Sequence, residues 1–143
     1  MADSMDIARE VIEAWNAHDP DGVARLVSND YVSESDTLPA PLRGPEAVRQ
    51  VVQMYLHAFP DLRFEIEQVF SSGNYVTLRW RATGTHRGEL MGIAPTNRPA
   101  ETHGCTVEEV RDGKIVREWV YWDTGSLLRQ LGVLPSPAAA AAR

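Results

Sequence analysis

The sequence is poor in cysteine and in long apolar runs. Cys105 is the only cysteine among 143 residues, which excludes an internal disulfide framework and an all-cysteine metal site. No apolar stretch reaches the roughly 18 residues that a membrane-spanning helix needs. The N-terminal sequence MADSMDIARE lacks the apolar centre of a secretory signal. We therefore expect a cytoplasmic protein with no segment in a membrane.

Positive charge is also scarce. The chain carries 14 Lys and Arg against 20 Asp and Glu, so its formal net charge is −6. Nucleic-acid binding requires a basic face, and anionic membrane surfaces attract basic segments, so we expect neither of these partners. The hydrophobic content of 43% and the charged content of 24% are ordinary for a folded domain.

Hydrophobic periodicity predicts helices first and strands second. Early in the chain, apolar residues recur every three or four positions, as on the buried face of a helix. After residue 61 they alternate with polar residues, as in half-buried strands. This segregation is typical of α+β folds, and we expect one domain over residues 1–132 and a flexible tail over 133–143. The predicted helices cover residues 4–18, a short segment from Pro20, 45–59 and about 126–131, and the predicted strands cover 62–70, 76–83, 101–111 and 115–122.

Punctuating residues predict the connections between these elements. Asp112-Gly113 predicts a tight hairpin turn between the last two strands. Two proline-containing segments, 37–45 and 92–99, predict irregular loops because each proline removes an amide donor. Both loops are candidate lids. Between the second and third helices, only Tyr31-Val32 has the character of a strand.

Five segments of the chain match one known family in their order and spacing. They are GPEAVRQVV, FPDLRFEIEQV, GTHRGELMGIAPTNR, VRDGKIVREWVYWD and SLLRQLG. Through these segments the chain resembles the SnoaL-like polyketide cyclases of the nuclear transport factor 2-like superfamily, over about residues 5–132. The resemblance implies a cone-shaped barrel made of a curved antiparallel sheet packed on N-terminal helices, with a deep apolar pocket. It also implies cofactor-free acid–base chemistry on a small apolar aromatic substrate, and a homodimer.

The chain departs from the family pattern at two positions. The family closes rings by an aldol reaction that uses an Asp on the last strand and a His on the preceding one, and here Val120 and Thr106 occupy those positions. Valine cannot transfer a proton, and threonine is a poor base. The departure favours a hydroxylase, assisted by a separate reductase, or a non-aldol cyclase or isomerase. A non-catalytic binding or accessory protein and a hydrolase resembling limonene epoxide hydrolase are the alternatives.

His86 and Asp123 are the candidate catalytic residues. His86 has the strand parity of Val76 and Leu78, which predicts that it faces the pocket. Its alternative role is a structural histidine bonded to nearby backbone. Asp123 ends the last strand, three positions after Val120. Its alternative role is the N-cap of the helix that follows.

Five further residues are predicted to bind the substrate. The aromatic members suit stacking on a flat ligand, and the other two occupy the positions of the family's acid–base pair. Core packing is the alternative for the aromatic side chains. The candidate substrate-binding residues are Trp15, Tyr55, Thr106, Val120 and Trp122.

Strand parity also assigns the remaining notable side chains. Glu108 has the parity of Thr106, and Arg117 lies almost opposite it across the hairpin, which predicts a cross-strand ion pair. The alternative for Glu108 is an inward carboxylate with a functional role in the apolar wall. Trp119 and Tyr121 have the outward parity and are candidates for a dimer interface. The histidines lack the spacing of a zinc site, so we expect no metal.

Overall fold

The computed structural model describes residues 3–135. Part of the tail predicted for residues 133–143 therefore lies outside the described residues. The elements follow the predicted order, with helices first and a four-stranded meander after them. They are α1 (Ser4–Asn16), α2 (Pro20–Ala24), β1 (Val27–Glu34), β2 (Leu42–Arg43), α3 (Gly44–Ala58), β3 (Arg63–Ser72), β4 (Tyr75–Thr85), β5 (Pro99–Arg111), β6 (Lys114–Trp122) and α4 (Thr124–Gln130).

The strands form a single curved sheet in the order β2-β1-β6-β5-β4-β3. The meander from β3 to β6 is antiparallel, as the alternating pattern predicts. β1 instead pairs with β6 in parallel, so the sheet is mixed. The α+β fold with a curved sheet packed on N-terminal helices is confirmed, but the sheet stays open, with β2 and β3 at its two edges, and does not close into the expected cone-shaped barrel. Helices α1, α2 and α3 cover one face, and the core lies between them and the sheet.

β1 is longer than the sequence indicates. The structure extends it over Val27–Glu34, whereas the pattern marked only Tyr31-Val32. Asn29 and Asp30 disfavour a strand locally, but the pairing of β1 with the distant strand β6 supplies the missing hydrogen bonds. β2 (Leu42–Arg43) lies inside the predicted loop, and it too is formed by pairing with another strand, β1.

A β-bulge in β3 changes the face that its last residues present. The register with β4 shifts between Ile66 and Gln68, because Glu67 is an extra residue. Beyond a bulge, every side chain moves to the opposite face. Val69 therefore turns towards the core, and Phe70, which simple alternation places inside, is 54% exposed.

Candidate active site

The core leaves a cavity between the helices and the sheet, with a volume of about 180 Å³. Among residues 3–135, its lining contains no Lys, Arg, His or Asp. An apolar cavity of about 150 Å³ holds one benzene-sized molecule, so the enclosed space suits one aromatic ring or the ring-shaped end of a larger molecule. Apolar side chains make most of the wall, including Val11, Val23, Val48, Val52, Leu78 and Ile115.

All five predicted substrate-binding residues line this cavity. Thr106 and Val120 are direct cross-strand partners on β5 and β6, so their side chains share the inner face of the hairpin. The ring of Tyr55 lies 6.4 Å from that of Trp122 and 6.5 Å from that of Trp15. The aromatic side chains therefore form a continuous wall. Their role in substrate binding stays a prediction.

Thr106 also fixes the position of Trp80. The indole Nε1 donates a hydrogen bond of 2.9 Å to the Thr106 hydroxyl. The indole lies so close to Gly104 that a Cβ at this position would come within 2.1 Å of the ring. Glycine is required there because it leaves room for the ring. The Trp80 and Phe64 rings pack edge to face, with their centroids 5.3 Å apart.

The most enclosed part of the lining contains two carboxyl groups and a phenol. Glu108 on β5 is 1% exposed, and its direct partner across the hairpin is Glu118 on β6. Tyr31 on β1 is 3% exposed and donates a hydrogen bond of 3.2 Å to Oε2 of Glu118. Within the described residues, Oε1 of Glu108 has no hydrogen-bond partner. All three residues line the cavity.

A second bulge creates this pairing, and the predicted ion pair between Glu108 and Arg117 is wrong. Next to the turn, Arg111 faces Lys114, and that register would place Glu108 opposite Arg117. The register shifts by one residue beyond Val110, so Glu118 takes that place. The Arg117 guanidinium instead lies 5.4 Å from the centroid of the Trp119 ring, a cation–π distance.

Burial raises the pKa of both carboxyl groups because it removes water from their charged forms. For Glu108 the pKa rises well above 4.5, and the negative charge of Glu118 adds to the effect of burial. For Glu118 burial raises the pKa to about 7, although hydrogen bonds from Tyr31 and Glu108 lower it in part. Burial therefore favours the neutral form of Glu108, and Glu118 is close to its midpoint near neutral pH.

The phenol of Tyr31 remains neutral beside this pair. Burial is the main cause that raises its pKa well above 10, and the negative charges of Glu118 and Glu108 add to it. A neutral phenol keeps its proton and donates a hydrogen bond to a neighbouring carboxylate. The site therefore combines one ionisable carboxyl group with two neutral groups that can donate hydrogen bonds.

Comparison with known proteins agrees with this fold and cavity. The family model of the SnoaL-like polyketide cyclases matches residues 5–131. The chain belongs to this family. The cavity of this SnoaL-like domain is lined by Val120 and Thr106. Its carboxyl groups are those of Glu108 and Glu118.

Among its SnoaL-like relatives is the aklanonic acid methyl ester cyclase DauD of Streptomyces sp. (strain C5). It is 30% identical over 137 residues, which cover 92% of this chain and 83% of DauD. The solved structure of AclR of Streptomyces galilaeus, a proposed hydroxylase, has a TM-score of 0.84 at 30% identity and covers 97% of this chain and 88% of AclR. IdmH of Streptomyces antibioticus, a proposed polyketide cyclase, has a TM-score of 0.80 at 32% identity, and the match covers 92% of this chain and 100% of IdmH.

His86 does not line the cavity of this SnoaL-like domain. Its ring is fully buried behind Phe59, with the ring centroids 5.5 Å apart. Nδ1 accepts a hydrogen bond of 3.2 Å from the backbone N–H of Thr96 and lies 3.0 Å from its hydroxyl. These contacts tie the loop that follows Leu90 to the end of β4. The structure thus places His86 in its alternative, structural setting.

Asp123 is also absent from the cavity lining. It is the N-cap of α4, where Oδ1 accepts a hydrogen bond of 3.0 Å from the backbone N–H of Ser126. Its side chain is exposed and lies 3.5 Å from Arg129. The strand ends one residue before Asp123, so the carboxylate serves the helix instead of the inner face of the sheet.

The predicted outward orientation of Tyr121 agrees with the structure, in which its side chain is 57% exposed. His103 is also exposed, on the outer face of β5.

The two candidate lids differ in their position relative to the cavity. The loop before α3 contributes Thr37, Leu38 and Leu42 to the cavity lining, whereas no residue of 92–99 reaches it.

Sequence reasoning missed Glu118 and Tyr31. Glu118 has the parity of Val120 and Trp122, so a signal for its inward orientation was present on the last strand. Tyr31 lies on a strand that the local pattern hardly marks, and no sequence signal links it to β6. Within residues 3–135, no helix is long and apolar enough to cross a membrane, and no three His, Cys, Asp or Glu residues form a candidate metal site.

Proposed function

We propose that this protein is a cofactor-free enzyme that performs acid–base chemistry on a small, apolar, aromatic polyketide-type substrate, by ring closure or isomerisation. One observation carries the proposal: the lining of the apolar cavity, over residues 3–135, contains two buried carboxyl groups and no cationic side chain. Membership of the SnoaL-like family and the similarity to DauD support this substrate class.

The cost of burying these groups argues for a functional role. A buried carboxyl group without a cation loses its hydration and shifts its pKa. Apolar side chains of similar volume would fill this position without that cost. Carboxyl groups with strongly shifted pKa values in a cleft are typical of sites that transfer protons. Glu108 and Glu118 have these properties, and a pKa near 7 suits a base that works at neutral pH.

The charge of the cavity selects the form of the substrate. With no Lys, Arg or His in the described lining, a carboxylate ligand would gain no counter-charge and would meet the negative charge of Glu118. We therefore infer that the substrate enters as a neutral ketone or ester. DauD, whose substrate is named as a methyl ester, is consistent with this inference.

Hydroxylation is the second candidate function. It is favoured by the similarity to AclR and by Val120 and Thr106 at the positions of the aldol pair. Without a bound cofactor, the substrate itself must supply electrons to oxygen, as a hydroquinone does, and a separate reductase must provide its reduced form. A limonene epoxide hydrolase role is not proposed, because no Asp or Arg of residues 3–135 lines the cavity.

We also propose a homodimer through the outer face of β5 and β6. Tyr121 is exposed there, and Trp119 lies beneath the Arg117 guanidinium. Analytical ultracentrifugation tests this proposal. A monomer at micromolar concentration would contradict it.

Incubation with anthraquinone- and anthracyclinone-type methyl esters, followed by mass spectrometry, tests the enzymatic function. A product of unchanged mass and altered retention is expected for ring closure or isomerisation. A product heavier by one oxygen atom, formed only with oxygen and a reductant, would identify the hydroxylase. Binding without any conversion would contradict the proposal. Val120→Phe, which fills the cavity, should abolish conversion, and Tyr121→Phe on the outer face of the same strand is its matched control.

A further inference from the structure

We propose that Glu118 is the general base of this cavity, that Glu108 is its protonated partner, and that Tyr31 positions its carboxylate. The group that loses the proton is a C–H next to a carbonyl on the neutral substrate. This inference rests on the proposed function and assigns its proton-transfer residues.

Three adjacent strands bring these side chains together. β6 lies between β1 and β5, and Glu118 is on its inner face. From one side Tyr31 reaches Oε2 of Glu118, and from the other side Glu108 is its direct cross-strand partner. The hydrogen bond from Tyr31 on one neighbouring strand and the side chain of Glu108 on the other confine the carboxylate, so its orientation is fixed before a substrate enters.

The pair occupies the next inward position of the hairpin beyond the family's acid–base pair. Glu118 is two residues before Val120, and Glu108 is two residues after Thr106. On an antiparallel hairpin these shifts lead to the next cross-strand pair on the same face, about 7 Å nearer the turn. The chain therefore has Thr106 and Val120 at one inner pair and two carboxyl groups at the adjacent pair.

One oxygen of the carboxyl pair has no hydrogen-bond partner among the described residues, and a substrate could supply one. Oε1 of Glu108 is buried and makes no hydrogen bond to the described residues. Such a buried acceptor or hydroxyl is costly unless a ligand or water completes it. Glu118 is surrounded by protein, yet keeps some accessible surface because it lines the cavity. A carbonyl or enol oxygen of the substrate would complete this site.

No other group in the lining competes for the proton. α1, α2 and β4 contribute no acid or base to the described lining, and α3 contributes one titratable group, the phenol of Tyr55. Burial raises the pKa of Tyr55, so it stays neutral. β1 adds Tyr31 and the hydroxyl of Ser33, and the remaining titratable groups are the two carboxyl groups themselves. The pH dependence of turnover should therefore report the pair.

The proposed chemistry balances without an oxidant or a reductant. The C–H bond next to the carbonyl breaks, its proton moves to Glu118, and the electron pair becomes an enolate. Once Glu118 holds that proton, Glu108 turns its own O–H to the enolate oxygen and stabilises the developing negative charge, while the single O–H of Tyr31 stays on Glu118. The enolate then takes the proton back at another atom, or attacks a second carbonyl of the same molecule and forms a C–C bond. In the second case the new alkoxide takes the proton from Glu118, which restores the starting state.

Steady-state kinetics of three variants on a converted methyl ester test this assignment. Glu118→Gln should lower kcat by about 10²–10⁴-fold, because it removes the base and keeps the shape. In the wild type, kcat should fall below an inflection near pH 7, because the base must be ionised. Tyr31→Phe should move this inflection to higher pH, since it removes a hydrogen bond to the carboxylate. Glu109→Gln, outside the cavity and paired with Arg111, is the matched control with wild-type kcat expected.

The outcomes separate this inference from the proposed function. Wild-type kcat in Glu118→Gln, with the wild type active, would overturn the assignment of the base and leave the proposed function intact. A wild type that binds but converts none of the substrates would overturn both. If Glu118→Gln fails to fold, the Tyr31→Phe profile decides, and an unmoved inflection would overturn the inference.

Discussion

The pair of buried carboxyl groups should make the stability of this protein fall as the pH rises. The folded state binds the proton of Glu118 more tightly than the unfolded state, because burial raises the pKa from 4.5 to about 7. The stabilisation is fully present below pH 4.5 and is lost as the pH rises through about 7. A difference of this size corresponds to roughly 3 kcal/mol in the free energy of unfolding. Most of it, roughly 2–3 kcal/mol, should be lost between pH 5 and pH 8.

Urea unfolding followed by tryptophan fluorescence at pH 5 and pH 8 measures this loss. The double variant Glu108→Gln/Glu118→Gln removes both titrations, so its free energy of unfolding should fall by at least about 2–3 kcal/mol less than that of the wild type. The matched control, Glu109→Gln, should follow the wild type because its carboxylate pairs with Arg111 outside the cavity. An equal loss of the free energy of unfolding between pH 5 and pH 8 in the wild type and the double variant would contradict the raised pKa values, because the carboxyl pair would then titrate in its ordinary range.

Substitutions at three further positions test contacts of individual side chains. Thr106→Val should lower the free energy of unfolding by about 1–3 kcal/mol, because the buried Trp80 N–H loses its acceptor, whereas Thr106→Ser should retain most of it. Gly104→Ala should cost about 1–3 kcal/mol, because its Cβ would overlap the Trp80 ring. Asp123→Ala should cost about 1 kcal/mol through the lost hydrogen bond to Ser126. Thermal unfolding checks all three, and unchanged midpoints would contradict the contacts described.

The helices and the long strands could be predicted from the sequence because their periodicity is local. β1 could not, because its stability depends on a parallel partner more than 80 residues away, and Asn29 and Asp30 disfavour a strand on their own. The curved sheet on N-terminal helices follows from the family resemblance, but its open form does not, because β2 and β3 are the edges of the sheet and do not pair with each other.

The site was only partly predictable for a related reason. The cavity-lining residues on unbroken stretches of strand, such as Thr106 and Trp122, follow from parity. Two bulges defeat parity where they occur, because one extra residue exchanges the faces beyond it. One of them exposes Phe70, and the other places Glu118 opposite Glu108. No local pattern in the sequence marks either bulge.

The most direct test of Glu118 as the base is a crystal structure of the protein with a neutral anthraquinone- or anthracyclinone-type ester. We expect a ligand in the apolar cavity, with a carbon next to a carbonyl within about 3.5 Å of a Glu118 carboxylate oxygen, the distance of a reactive approach. A ligand bound in the cavity with its carbonyl groups turned away from Glu108 and Glu118, or bound only on the outer face of the sheet, would contradict it.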